Sequence, residues 1–265
     1  MRTSSVGRIV LAVVSLVIAQ IACNMPGGIG GSAAPTPTIV SGAGDITAQV
    51  EEYRALLGGV NNGGDPGSKG ATGYREINWD TVPDEMAAPN ALPSDFFNAA
   101  EAPRARGIFL STPGDALMIS ADADNPTGTP PRFGNINPTY VDSFKTFSEE
   151  RLFSPVGDNV VNLTFFVPGS STPALVRGFG AVYTDVDTDH TAFEYFDRDG
   201  NSLGKFQTPI ADSGLSFLGV AFPEAIVFSV KVAYGTDALG PNDGDGGVDV
   251  AVMDNFIYGE PQAVP

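Results

Sequence analysis

From Gly107 onward the chain breaks into short apolar runs of strand length, each closed by Gly, Pro, Asn or Asp, and no stretch of helical period interrupts them. The runs fall at 107–112, 116–120, 160–167, 176–184, 192–196, 203–207, 215–222, 226–234 and 248–258. In two of them the alternation is clear. Val161, Leu163, Phe165 and Val167 share one face, and Ile226, Phe228, Val230, Val232 and Tyr234 share another, which marks both faces as core. With 32 glycines and 21 prolines supplying turns, this pattern predicts an all-β fold, an antiparallel sandwich over residues 71–260. A jelly roll suits the length better than a minimal immunoglobulin domain. No internal repeat points to a solenoid or propeller.

The chain ahead of the sandwich reads differently. Residues 1–22 carry Arg2 and Arg8, no acid, and an apolar run from Ile9 to Ala19 broken by Ser15, which is the composition of an export signal. The run is too short to span a bilayer as a stable helix. Residues 23–44 are rich in Gly, Pro, Ser, Ala and Thr and cannot bury enough surface to fold, so a flexible linker is expected there. Asp45 then caps an expected helix through Leu57, with Ile46, Val50, Tyr53 and Leu57 on one face and Gly58 and Gly59 ending it. A Gly-rich connection, 61–70, follows, and 261–265 reads as a tail.

Cys23, the one cysteine of the chain, follows the apolar run directly, with the small Ala22 before it. This resembles the lipobox of bacterial lipoproteins, in which that thiol is lipidated and becomes the first residue. Gln20 departs from the leucine usual in the family at the third position before the cysteine. The resemblance implies an exported protein, lipid-anchored at Cys23 to the outer side of a bacterial envelope membrane. It also assigns the thiol, and with no second cysteine no disulfide can form within the chain.

Lys and Arg number 14 against 31 Asp and Glu, a net charge of −17. Loss of the signal removes two arginines and takes it to −19. Nucleic acid is excluded as a partner, anionic surfaces are repelled and divalent cations are attracted.

A further set of segments carries a second resemblance: Gly73 to Asp80, Val82-Pro83-Asp84, Gly178 to Asp187, and Met253 to Gly259. Together they look like a group of bacterial exported jelly-roll proteins, akin to lectin-like sandwiches of envelope proteins, over roughly Tyr53 to Glu260. The resemblance implies a fold and an envelope address and supplies no catalytic residue. The last strand also resembles that of carbohydrate-binding jelly rolls, in which a terminal-strand aspartate holds structural calcium.

Candidate site residues follow from charge in apolar surroundings. Asp254 lies inside the run from Val250 to Ile257, and a buried carboxylate needs a partner. Metal ligation, backbone amides or a bulge would each supply a reason. If first and last strands adjoin, Asp80 and Asp254 are candidate calcium ligands, and Trp79 beside them is a candidate ligand-binding ring. Asp185, Asp187 and Asp189, spaced two apart, form a second candidate calcium group. It is not an EF-hand, because His190 and Phe196 stand where that loop needs Gly and a bidentate acid. Asn242 to Gly247, with Asp249, is a third acidic loop without a specific metal spacing.

Nucleophilic and zinc chemistry lack members, since His190 is the one histidine and there is no Gly-x-Ser-x-Gly elbow. The expected function is a noncatalytic, envelope-anchored binding module for extracellular polysaccharide or an envelope protein, stiffened by calcium. A polysaccharide hydrolase using two of the 31 acids and a purely structural surface-layer spacer are the alternatives.

Overall fold

The computed structural model describes residues 35–242 and 248–264. Cys23 and the signal segment lie outside the described residues, as does most of the acidic 242–247 loop. In chain order the first strands are β1 (Thr38–Ala43), β2 (Tyr74–Ile77), β3 (Ile108–Ser111), β4 (Ala116–Ile119), β5 (Phe153–Val156), β6 (Val160–Phe165) and β7 (Ala174–Leu175). There follow β8 (Gly178–Val186), β9 (Ala192–Phe196), β10 (Ser202–Gln207), β11 (Ala211–Ala221), β12 (Ser229–Ala233), β13 (Val252–Gly259) and β14 (Gln262–Ala263). Helix α1 spans Thr47–Leu56 and α2 spans Tyr140–Ser143.

Two antiparallel sheets form a sandwich. One is ordered β1-β11-β8-β13-β5-β4 with β2 also paired to β13, and the other is β10-β9-β12-β6-β3. The alternation read from sequence sorts the faces: Val161, Leu163 and Phe165 of β6, with Val230 and Val232 of β12, enter the core from the smaller sheet. From the larger sheet Phe179, Tyr183, Leu218, Val220, Phe256 and Tyr258 meet them. Ring contacts cross the gap, with centroids 5.1 Å apart for Phe179 and Phe193 and 5.4 Å for Phe165 and Tyr258. The hairpin between β9 and β10 turns on Asp197, whose Oδ1 accepts the Asp199 and Asn201 amides at 2.9 Å.

Helix α1 covers the outer face of the larger sheet. Its buried face is the expected one, Ile46, Val50, Tyr53 and Leu57, packed on Val40, Val182, Phe217 and Ile257. Tyr53 lies where Gly180 and Gly219 leave no side chain: a Cβ on either would stand within 2.8 Å of its ring. Its hydroxyl donates to the Val220 carbonyl at 2.9 Å. The helix starts at Ile46 without a side-chain cap, while Asp45 accepts the Thr47 amide at 3.2 Å just outside it.

Several segments differ from the sequence reading, among them β2, β5 and α2, which lie in none of the expected runs. Residues 38–43, expected within a linker, form edge strand β1, paired with β11 from Thr38 opposite Ala221 to Ala43 opposite Ser216. Only Val40 of that strand is buried, so its stability comes from backbone pairing and leaves no hydrophobic pattern to read. The tail contributes β14, two residues paired with β7, too short for any period. The Gly-rich 61–70 connection is tied to the sandwich by Arg75, which donates to the carbonyls of Gly63, Asp65 and Gly67.

Arg75 and Glu260 are both fully buried and meet through two hydrogen bonds, Nε to Oε2 at 2.8 Å and Nη2 to Oε1 at 2.9 Å. Glu260 also accepts from Asn62 and from the Lys69 amide. Glu260→Ala strands a guanidinium in the interior, and urea denaturation is expected to show a loss of about 3–5 kcal/mol. A loss below about 1 kcal/mol, the range of an exposed pair, would contradict this account of the connection.

Candidate functional site

Strand β13 carries one extra residue against β8: Met253 stands opposite Tyr183 and Phe256 opposite Ala181. This bulge sends Met253 and Phe256 both into the core and leaves Asp254 and Asn255 between them, outside the regular pairing. Asp254 is fully buried. Its Oδ2 accepts the amides of Phe147 at 2.6 Å and Ser148 at 3.2 Å, and its Oδ1 accepts the Ser148 hydroxyl at 2.7 Å. Asp80 grips the next residues, its Oδ1 accepting the Glu150 and Arg151 amides at 3.1 Å each. The two aspartates thus act on one segment, 147–151, as a pair of backbone clamps.

The two aspartates expected as calcium ligands thus hold backbone amides of this segment. Both Asp254 oxygens face N–H and O–H donors, and the alternative reason for a buried carboxylate, backbone amides at a bulge, is the one the structure uses. Trp79 is likewise not a ligand platform. It is 1% exposed, stacked on Phe153 at 4.5 Å and edge-on to Phe256 at 4.8 Å, with its indole N–H donated to the Asp254 carbonyl. Its φ of +68° is strained for an aromatic residue and is held by that packing. Most of the aromatics are core, whereas Phe109 is exposed and Phe147, Phe166, Phe196, Phe206 and Phe228 are half-buried, Phe147 beside a pocket.

Two concavities flank the clamped segment. One, of about 350 Å³, is lined by Asp80, Asp122, Asp124, Glu149, Glu150 and Arg151. Arg151 is 3% exposed and bridges Asp84 and Asp122 through Nη2, while its Nε and Nη1 have no partner. The other, of about 380 Å³, opens beside α1 and is lined by Arg54, Asn61, Glu76, Asn78, Arg106, Phe147, Ser148 and Asn255. Glu76 of β2 is held by Arg54 through Nε and Nη2, and accepts Asn255 Nδ2 at 2.6 Å. Arg106 donates to the Glu76 carbonyl. None of Arg54, Glu76, Arg106 and Asn255 stands out in the sequence, because the helix, two strands and a loop that supply them meet only in the fold.

A third grouping lies where β11 runs irregularly against β8, between Ala211 and Leu215. It unites Asp185, Asp187 and Asp212, with a carboxylate oxygen from each within 4.8 Å of the others. Asp185 takes a φ of +65°, and its Oδ1 accepts the Ser213 amide at 2.7 Å. Of the three aspartates expected together, Asp185 and Asp187 meet here and Asp189 does not. Asp189 is exposed in the following turn, 3.5 Å from His190, and Asp212 stands in its place from another strand. The fully buried Asp249 adds charge nearby: its Oδ2 accepts the Thr188 amide and hydroxyl, and its Oδ1 has no donor. Burial raises the Asp187 carboxyl to about 6, with Asp185, Asp249 and Asp212 adding to the rise. Such a group of oxygen donors matches a hard divalent cation.

Asp254 gives a test of the clamp. Burial lifts its pKa to about 7 and Asp80 adds to the rise, against the lowering effect of the Ser148 and Phe147 hydrogen bonds. A folded value above the unfolded one means that folding takes up a proton, so the stability is present below about pH 4 and is lost as pH rises through about 7. In Asp254→Asn the amide donates to Ser148 Oγ, and the hydroxyl turns to the Asn78 carbonyl 3.4 Å away. Wild-type melting temperature is expected to fall relative to this variant from pH 4 to 8. Parallel melting curves across that range would contradict the assignment.

No family model matches the chain, and no curated protein matches it. Among solved structures, the enzymatically active domain of bacteriophage CBA120 tailspike protein 4 is 14% identical with a TM-score of 0.27. The match covers 68% of this chain and 22% of that one, and a likeness at that score bears on neither fold nor function here.

Proposed function

We propose that this protein is a noncatalytic saccharide-binding module of the bacterial envelope. The pocket beside α1 carries the reading. Asn61, Asn78 and Arg106 offer hydrogen-bond donors, the Asn255 amide oxygen offers an acceptor, and half-buried Phe147 offers an apolar wall. A ring dense in hydroxyls, with apolar C–H faces, is the ligand chemistry that such a wall complements. The pocket holds one carboxylate, and Arg54 and Asn255 occupy it. Glycoside hydrolysis uses two carboxyl groups across the scissile bond, and the single one in this pocket supports binding there.

Calcium at Asp185, Asp187 and Asp212 accompanies this reading, and so does a lipid on Cys23 that holds the module at the outer side of a membrane. Among the described residues no helix is long and apolar enough to cross a membrane. Partners on this reading are an extracellular polysaccharide or an envelope protein carrying such a glycan.

A glycan panel in calcium-containing buffer is expected to give saturable binding without release of reducing ends. Phe147→Ala should weaken it by about 1–3 kcal/mol while the fold remains. Reducing-sugar release would favour a hydrolase, and a blank panel would favour a structural spacer. Calcium at 100 times its Kd adds about 2.7 kcal/mol. At roughly 2–4 °C per kcal/mol for a chain of this size, chelation should lower Tm by several degrees. Asp212→Asn, at an exposed position, should remove that response. Equal melting with chelator and with millimolar calcium would rule the cation out.

A further inference from the structure

The pocket beside α1 gathers two guanidinium groups around one carboxylate, in a chain whose net charge is −17. Arg54 is neutralised there: its Nε and Nη2 hold Glu76 and its Nη1 holds Glu51. Arg106 is not. Its Nη1 donates to a backbone carbonyl, that of Glu76, and among the described residues no carboxylate pairs with it. Burial pulls its pKa below the usual guanidinium value, Tyr258 and Glu76 oppose the fall and buried Arg75 adds to it. The site therefore holds a half-buried cation that an incoming anion would stabilise.

Asn255 fixes the second requirement. It is 3% exposed, and its Nδ2 donates to Glu76 Oε1, an acceptor already bound to Arg54. A carboxylate receives hydrogens only, so the amide cannot be turned over, and the unpaired atom is its oxygen. Asn255 Oδ1 is buried without a donor. A ligand that completes the pocket has to bring an anion for Arg106 and an O–H for Asn255, two groups that both adjoin Glu76.

We infer that the saccharide unit bound here carries a single carboxylate, which Arg106 receives while a neighbouring ring hydroxyl donates to Asn255 Oδ1. A neutral sugar meets only the second demand, and an inorganic anion only the first. The restriction to one charge follows from the rest of the surface, which repels polyanions, whereas screening over about 8 Å at physiological salt lets a single carboxylate respond to the pocket itself. The inference rests on the saccharide reading and narrows it to uronic or sialic acid units.

The test uses calorimetry on the full chain with trisaccharides ending in one uronic or sialic acid unit, each beside its carboxyl-reduced twin. The acid form of at least one pair is expected to bind tenfold or more tightly than its twin, about 1.4 kcal/mol or more. In Arg106→Gln that ratio should fall to about one. Should this variant fail to fold, raising salt from 50 to 500 mM should narrow the ratio in the wild type. Equal affinity within every pair overturns the acid preference and leaves the saccharide reading standing. An acid preference that persists in folded Arg106→Gln, or that salt does not touch, overturns the assignment to Arg106. Binding of no member overturns both.

Discussion

A single carboxylate buried in the last long strand anchors the segment that lies between the two concavities of this molecule. Asp254 sits in the bulge of β13 and takes three hydrogen bonds from Phe147 and Ser148. Burial still dominates its titration, with the pKa near 7 in spite of those donors. A hydrophobe of similar size would be easier to bury, but it would not hold two consecutive amides of a segment that forms no strand or helix of its own. Asp80 repeats the device two residues on. Segment 147–151, fixed in this way, lends Glu149, Glu150 and Arg151 to the acid-lined hollow and Phe147 and Ser148 to the pocket beside α1.

The second wall of that pocket depends on α1 lying flat against the larger sheet. Gly180 and Gly219 make the trough that admits Tyr53, and the next residue, Arg54, reaches Glu76 on β2. Edge strand β1 extends the sheet and adds Val40 beneath the helix. Packing at Tyr53, the ion pair at Glu76 and the amide of Asn255 are therefore links of one chain, running from helix burial to the orientation of the groups that line the pocket. The Arg75–Glu260 pair plays the same part for the adjoining 61–70 connection, from which Asn61 lines the pocket.

Much of the scaffold was legible in the residues. Alternation marked β6 and β12, because a half-buried strand writes its face into sequence at period two, and Ile46, Val50, Tyr53 and Leu57 marked the helix for the corresponding reason at its own period. Asp254 announced itself as a charge in an apolar run, and the bulge among its explanations is the one found. What escaped depends on pairing at a distance. β1 is held by backbone bonds that any sequence can make, Asp212 joins Asp185 and Asp187 from a different strand, and Asp189 shares their spacing but leaves the strand. Trp79 beside Asp80 suggested an exposed ring, whereas positive φ at Trp79 turns the indole inward and leaves the carboxylate to the clamp. Arg106 and Asn255 had no signal at all, since an unpaired donor or acceptor is defined by what surrounds it.

Amide hydrogen exchange at Phe147 and Ser148 tests the central claim most directly, because those two N–H groups are the ones that Asp254 is held to clamp. In the wild type both are predicted to exchange as slowly as amides of β8 and β13, and in Asp254→Ala to exchange fast while β8 keeps its protection. Fast exchange at Phe147 and Ser148 in the wild-type protein, or unchanged protection in the variant, would contradict the account.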